Sequence, residues 1–540
     1  MNDQQAISQV DSPEKRALRN FALIITAIYF GVVLVGILNH EMWRDEFEPW
    51  LIARDAKSFS QLFTNWRYEG HPMSWYLLLY ALTRVSIDPV LMQILHLAVA
   101  TASIYLFNRY SNFSILQKTL FSFGYYSVYE YSVISRGCYA LSFLLVLLFC
   151  VLYKNRPKSI LWLFVVLFLL ANTSPLFGAL LSLLLAGVLI IDWLVNRKKA
   201  EWDGFRLRRF YLGSLFFLFG LVLSIIQVLP PKNSTALQPP PRLSSLLDVN
   251  RIETVLAKIS EAYLLIPEIR SLPYWVSNQS DRFVHNDIKP YILISIMLVI
   301  AATAVLARKP LALLLYWTGS VAVISILGLT LTLGPRHIGH LIILLVAALW
   351  LAEYFPEKTF TNSAVNRFSK FGGKIQNGFI ILVFGLQVIA GAAIYATDLS
   401  RPFSASRDAA NFLRARKLDT LPIVGVADWA TSDFAALLNT RVYYPERKEF
   451  GSFIIWDTKR EPNPTNEQIV EAIDTVLDET QPQALLILNH RAANTLESGH
   501  SVLELNTVKR TIKVEPLAKF EGAMMSDEVY YIYLAQRVKL

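Results

Sequence analysis

Cysteine is nearly absent from this chain. Cys138 and Cys150 are the only two, and both fall in one apolar run. If that run is helical they stand about 18 Å apart, far beyond disulfide reach. They are read as packing residues, and they say nothing of redox compartment. Charge is scarce as well: 17% of the residues are Asp, Glu, Lys or Arg, against 54% hydrophobic. A soluble protein of 540 residues with that balance would expose too much apolar surface, so most of the chain belongs in lipid. Acids are rarer still at mid-depth in the long apolar runs, where Glu130 is the main exception and Asp192 lies near an inside end. That scarcity speaks against a transporter or a flippase of a lipid-linked sugar, which needs an ionisable path across its spans. No internal repeat is visible. A basic stripe interleaved with aromatics is also missing, so the net charge of +9 does not signal a nucleic-acid partner.

The apolar runs give the fold class. Candidate spans lie at 21–38, 90–107, 118–134, 138–153, 159–172, 176–195, 210–229, 290–307, 311–332, 338–355 and 377–396. The first follows Lys15, Arg16 and Arg19 and lacks a cleavage pattern after it, so it is expected to remain as a span. Residues 73–85 reach only about 20 Å as a helix, short of the roughly 30 Å hydrocarbon core. They are expected to lie in or dip into the interface. With that segment excluded, Lys154, Arg156 and Lys158, then Arg197, Lys198 and Lys199, and the other basic turns share one side, leaving Arg136 and Arg336 in the short opposite turns. The positive-inside bias then puts the N-terminus in the cytoplasm of a plasma (inner) membrane protein. Residues 40–88, 230–289 and the tail face outward. The expectation is an all-α polytopic membrane protein of about eleven transmembrane helices over residues 1–397. A soluble extracytoplasmic α/β domain follows over 398–540, where LPIVGVAD, ALLILNH and VYYIYLA read as strands and NEQIVEAIDTVLDE and SRDAANFLRARK as amphipathic helices.

The outward segments hold the chemistry. NHEMWRDEFEPW, residues 39–50, places Asp45, Glu46 and Glu48 where the first span leaves the bilayer. Carboxylates at that depth are costly unless used or paired. The structural alternative is an interfacial cap, with Asp45 as helix N-cap before Pro49 and the glutamates facing the helix dipole. YEGHP, residues 68–72, adds Glu69 and His71 at a Gly-Pro turn, with plain solvation as its alternative. SRGCYAL, residues 135–141, brings Arg136 and Tyr139 one helical turn apart; GPRHIGH, residues 334–340, brings Arg336, His337 and His340. A lone arginine at a membrane boundary is usually an anchor and a lone histidine usually structural. All four clusters fall on one side, which implies one site with carboxylates for proton handling and Arg/His for an anionic group. The same outer segment carries Arg44, Arg54, Lys57, Arg67 and Arg84, suited to interface anchoring or to an anionic ligand.

An acidic pair just after the first span, then a His-Pro turn opening a half-helix in the same loop, resembles the GT-C class of membrane glycosyltransferases. The likeness is to the protein O-mannosyltransferase and aminoarabinose transferase group. Asp45-Glu46 matches the acidic pair and Glu69-Gly70-His71-Pro72 the later turn, while Met73 stands where the family has a second proline. The resemblance covers mainly residues 20–160. It implies a glycosyltransferase that moves a sugar from a polyprenyl-phosphate donor in the membrane lipid to an acceptor glycan, lipid or protein, with inversion. Asp45 would be the base, Glu46 or Glu69 would position the sugar, and Arg136, Arg336 or His337 would stabilise the departing phosphate, with His71, Tyr139 and His340 among the binding residues. No cofactor is certain; a divalent metal could bridge phosphate and carboxylates, its ligands unknown. A ligase using a pyrophosphate-linked glycan is the near alternative.

Overall fold

The computed structural model describes residues 13–196, 204–236, 243–265, 288–330, 334–489, 503–506 and 511–537. The proline run at 239–241 and the later part of the second outer loop, 266–287, lie outside the described residues. Among the described residues, eight helices are long and apolar enough to cross a membrane: Pro13–Asn39 (α1), Val90–Tyr110, Phe177–Asn196, Gly204–Val228, Lys289–Leu306, Pro310–Thr330, Pro335–Ala352 and Ser363–Ser400. Two further expected spans are shorter helices, Gly137–Tyr153 and Arg156–Ala171.

The span expected at 118–134 is broken. Helix Ile115–Ser122 stops, and one turn of wider π-type helix, Tyr126–Glu130, follows. Helix Ser363–Ser400 presses into the gap, since a Cβ added at Gly391 would lie 3.1 Å from the Phe123 carbonyl oxygen. Tyrosine hydroxyls fix the broken stretch: Tyr29 donates to the Ser127 carbonyl at 2.6 Å, Tyr129 to Asp398 at 3.1 Å and Tyr131 to the Arg336 carbonyl at 3.0 Å. Such interruptions are tolerated in an apolar bundle when neighbouring groups satisfy the freed backbone.

Residues 40–88 form three short helices across one end of the bundle. The first, α2, is Arg44–Asp55, starting five residues before Pro49, which sits inside it. Proline has no N–H to donate, so the Asp45 carbonyl loses its helical partner and the turn carrying Asp45 is left open. Next come α3, Phe59–Trp66, capped by the Ser58 hydroxyl, and α4, Ser74–Thr83, at ten residues too short to cross.

The tail is a seven-stranded sheet flanked by helices. Its strands are β1 Ile423–Gly425, β2 Val442–Tyr444, β3 Glu449–Gly451, β4 Gln483–Asn489, β5 Leu503–Asn506, β6 Thr511–Phe520 and β7 Tyr530–Arg537. The order is β3-β2-β1-β4-β7-β6-β5, with β2, β1 and β4 parallel and the remaining pairs antiparallel. The three expected strands are β1, β4 and β7, and the two expected helices are Asn466–Val476 and Ser406–Ala415. The tail sits directly on α2. Arg44 meets Asp527 at 3.0 Å and Glu528 at 3.2 Å, Arg54 donates to the Ala435 carbonyl, and Glu48 accepts from the Ile454 amide at 2.8 Å.

Candidate active site

Behind α1 the chain makes a tight polar knot. His40 is wholly buried between Asp398, 2.8 Å from its Nδ1, and Glu46, 3.0 Å from its Nε2. Burial opposes a charge on the ring, but the two carboxylates outweigh it and raise its pKa to about 10. Glu46 spends its other capacity on backbone, accepting from the Trp43 amide at 3.3 Å and from the Ser135 amide at 2.6 Å. One carboxylate thus fixes the start of α2 and the turn that presents Arg136.

That corrects the cap reading of Asp45. The helix begins after Trp43, and Glu46, not Asp45, reaches back to cap it. Asp45 is 26% exposed; Arg136 and Arg336 converge on its Oδ2, the latter at 3.3 Å. Burial pushes its acid up, yet Arg136, Arg336 and Arg44 hold it below the usual carboxylate range. Three stretches remote in sequence therefore meet at one carboxylate. Their meeting also places the end of α1 and the starts of helices Gly137–Tyr153 and Pro335–Ile338 at the same end of the bundle, as the charge pattern requires.

Glu69 and His71 join from the turn between α3 and α4, where Gly70 takes a left-handed φ of +63°. His71 Nδ1 lies 2.7 Å from the Glu69 carbonyl oxygen, and Trp66 donates to the His71 carbonyl at 2.6 Å. Burial, then the nearby Arg136 charge, brings His71 down to about 4. The neutral ring donates from Nδ1 and keeps Nε2 as an acceptor. For Glu69, burial and the Asp45 charge outweigh Arg136 and raise its acid to about 8. Glu48 goes the same way, pushed well above its usual value by burial and by the charge of Glu69. One Glu48 oxygen is buried with no hydrogen-bond partner among the described residues.

Asp45, Glu48, Glu69, His71 and Arg136 line one cavity of about 660 Å³, together with Trp75 and Tyr76 of α4. Its far wall is the tail, through Trp429, Ile454, Trp456, Arg460 and Asn463. Arg460 is held there by a two-pronged pair with Asp428 at 2.6 and 2.7 Å. Glu46, Tyr139, Arg336, His337 and His340 do not line the cavity. They back it: Tyr139 bonds His337 Nε2 at 2.9 Å, the Arg136 guanidinium lies 5.9 Å from the Tyr139 ring, and His340 stacks on Phe177 at 4.2 Å. Glu48 and the tail residues were not anticipated as site residues. Glu48 had a signal, for it lies three positions after Asp45 on the same helical face.

The arrangement offers ionised and protonated carboxylates side by side, and paired guanidiniums able to hold a phosphate. It does not offer a metal cradle: among the described residues no three His, Cys, Asp or Glu side chains are grouped to hold an ion, and Asp45 is already taken by arginines. No step below is routed through a metal.

No family model matches the chain, and no curated protein matches it. Among solved structures, it is similar to ArnT from Cupriavidus metallidurans bound to undecaprenyl phosphate, at 11% identity and a TM-score of 0.48, over 95% of this chain and 98% of that one. It is likewise similar to the apo state of the same ArnT, at 12% identity and a TM-score of 0.47, over 96% of this chain and 98% of that one.

Proposed function

We propose that this protein is a membrane glycosyltransferase that moves a sugar from a polyprenyl-phosphate donor to an acceptor at the outer face of the membrane. The observation that carries the reading is the convergence of Arg136 and, from behind the cavity, Arg336 on Asp45, where Asp45 and Arg136 line a cavity shared with Glu48, Glu69 and His71.

The cavity's place at the end of the bundle fits a greasy donor. A polyprenyl tail cannot leave lipid without exposing many CH₂ groups at about 0.8 kcal/mol each, so its sugar–phosphate must be met at the interface. The phosphate is the natural partner for Arg136 and Arg336, and it competes with Asp45 for them. Once it takes the guanidiniums, Asp45 is released from the charges that depress its pKa, and it becomes the base for the acceptor's hydroxyl or amine. The acceptor oxygen or nitrogen bonds the anomeric carbon as the bond to phosphate oxygen breaks, which inverts that carbon. The leaving phosphate departs with the electron pair, stabilised by the arginines. Glu69, ionised, faces the positive charge that develops on the sugar ring. Glu46 acts as a positioning residue, because its oxygens hold Trp43, Ser135 and His40.

The test is a comparison by mass of surface glycans and glycolipids between wild-type cells and a strain carrying Asp45→Asn at normal membrane levels. Loss of one sugar addition supports the reading, and an unchanged profile contradicts it. Donors with one and with two phosphates, offered to purified protein, separate a monophosphate-dependent transferase from a ligase.

A further inference from the structure

Beside the cavity just described lies a second, of about 620 Å³, enclosed by α2, α3 and the tail. The two share a wall one chain thick. Over residues 453–456 the lining alternates: Ile454 and Trp456 line the first cavity, Phe453 and Ile455 the second, where Gly451 and Ser452 also lie. The wall is anchored on both sides, since the Ile454 amide donates to Glu48 and the Ser452 hydroxyl bonds Asp55.

The second cavity is basic. Arg54, Lys57, Arg441 and Arg447 line it, against Asp55 and Glu449. Arg54 is paired with Asp55, and Arg447 with Glu449 and Asp457. Lys57 and Arg441 are both exposed, and among the described residues no carboxylate pairs with either; Arg441 gives one N–H to the Phe450 carbonyl at 2.8 Å. Uncompensated cations beside the Gln61 and Asn65 amides in a polar recess are what a negatively charged, hydroxyl-rich ligand needs. Gln61 and Asn65 of α3 line the recess, while Phe59 and Phe63 of the same helix are 57% and 48% exposed, as on a helix lying in the interface.

We infer that this second cavity is the subsite for an anionic saccharide, the acceptor's phosphate- or carboxylate-bearing sugar, held by Lys57 and Arg441 one wall away from the reacting centre. The inference rests on the transferase reading for the word acceptor, but binding can be measured without it. The experiment uses the full-length protein in phosphatidylcholine nanodiscs, a fluorescent heparin-derived tetrasaccharide as the anionic probe, and labelled maltotetraose as the neutral one. Wild type binds the anionic probe in preference, and the double variant Lys57→Gln/Arg441→Gln binds it about tenfold or more weakly, two charge-assisted contacts being lost. Both residues are exposed, so the variant keeps the wild-type melting temperature. Equal binding of the two probes, or unchanged binding by the double variant, overturns the subsite. Nanodiscs with added phosphatidylglycerol distinguish the source of the ligand. If anionic lipid abolishes probe binding in wild type and the double variant alike, the cations are membrane anchors and the proposal fails; if it competes in wild type alone, the subsite stands and takes a lipid-borne group. Preferential binding by wild type, lost in the double variant, with no donor turnover by either protein, would retain the subsite and remove the transferase reading.

Discussion

Asp45 and Glu69 share a cavity and an arginine, yet they titrate in opposite directions. Asp45 sits under two guanidiniums, whereas Glu69 is dominated by burial and by the neighbouring Asp45 charge. Since kcat/KM reports the free enzyme's groups, it should rise with pH toward and through about 8 as Glu69 ionises, and Glu69→Gln should lower it and remove the rise. Stability should run the other way. A carboxyl whose folded pKa is raised contributes stability that is complete below its unfolded pKa, near 4.3, and lost as pH climbs through the folded value. Glu69→Gln is therefore expected to melt higher than wild type at pH 8 and above, with the gap closing toward pH 4; a gap that widens in acid would refute the assignment. His40 carries the complementary risk. His40→Ala strands Glu46 and Asp398 as buried charges, and thermal or denaturant unfolding should register a loss of about 3–5 kcal/mol. The acidic cluster and His71 were legible from sequence because acids next to a span stand out. His40 was not, since its importance comes from Asp398, which only the fold brings within 2.8 Å.

Among the elements, the broken helix after Ile115 and the early start of α2 do most to shape the site. Neither was legible. Apolar periodicity through 118–134 reads as a continuous span, because the break is imposed from outside by the helix carrying Gly391. Pro49 reads as a helix start, and its place inside α2 depends on Glu46 capping from within. That residues 73–85 form a helix too short to cross was legible, being a matter of length alone. At the junction of α4 and helix Gly137–Tyr153, a Cβ added at Gly137 would fall 2.3 Å from the Trp75 ring. Gly137→Ala should displace Trp75 from the cavity wall, costing about 1–3 kcal/mol in unfolding measurements and lowering turnover with Asp45 and Arg136 intact. Wild-type turnover in that variant would mean that Trp75 has no part in shaping the cavity.

For the whole molecule, the tail is a wall of the site, through the helix start at Trp429 and the loops carrying Ile454, Trp456, Arg460 and Asp527 rather than through its strands. Arg44 ties α2 to Asp527 and Glu528 while its guanidinium lies 4.7 Å from the Trp429 ring, and the cavity closes only where the two parts meet. The tail's α/β character was visible in the shorter apolar runs, but its role was not, since no sequence pattern says which surface a domain rests on. The orientation expected from the charge pattern is directly testable. Cys138 and Cys150 are buried, so background labelling in intact cells should be low. Ser58→Cys should react with an impermeant maleimide while Lys198→Cys does not, and the reverse would invert the topology. The most direct measurement is release of polyprenyl phosphate from a polyprenyl-phosphate sugar by the purified protein, with acceptor present. Wild type should release it, and Asp45→Asn should do so at least about a hundredfold more slowly while melting like wild type. Equal rates from the two proteins, or no release by a folded wild type with any acceptor or donor sugar tried, would contradict the account.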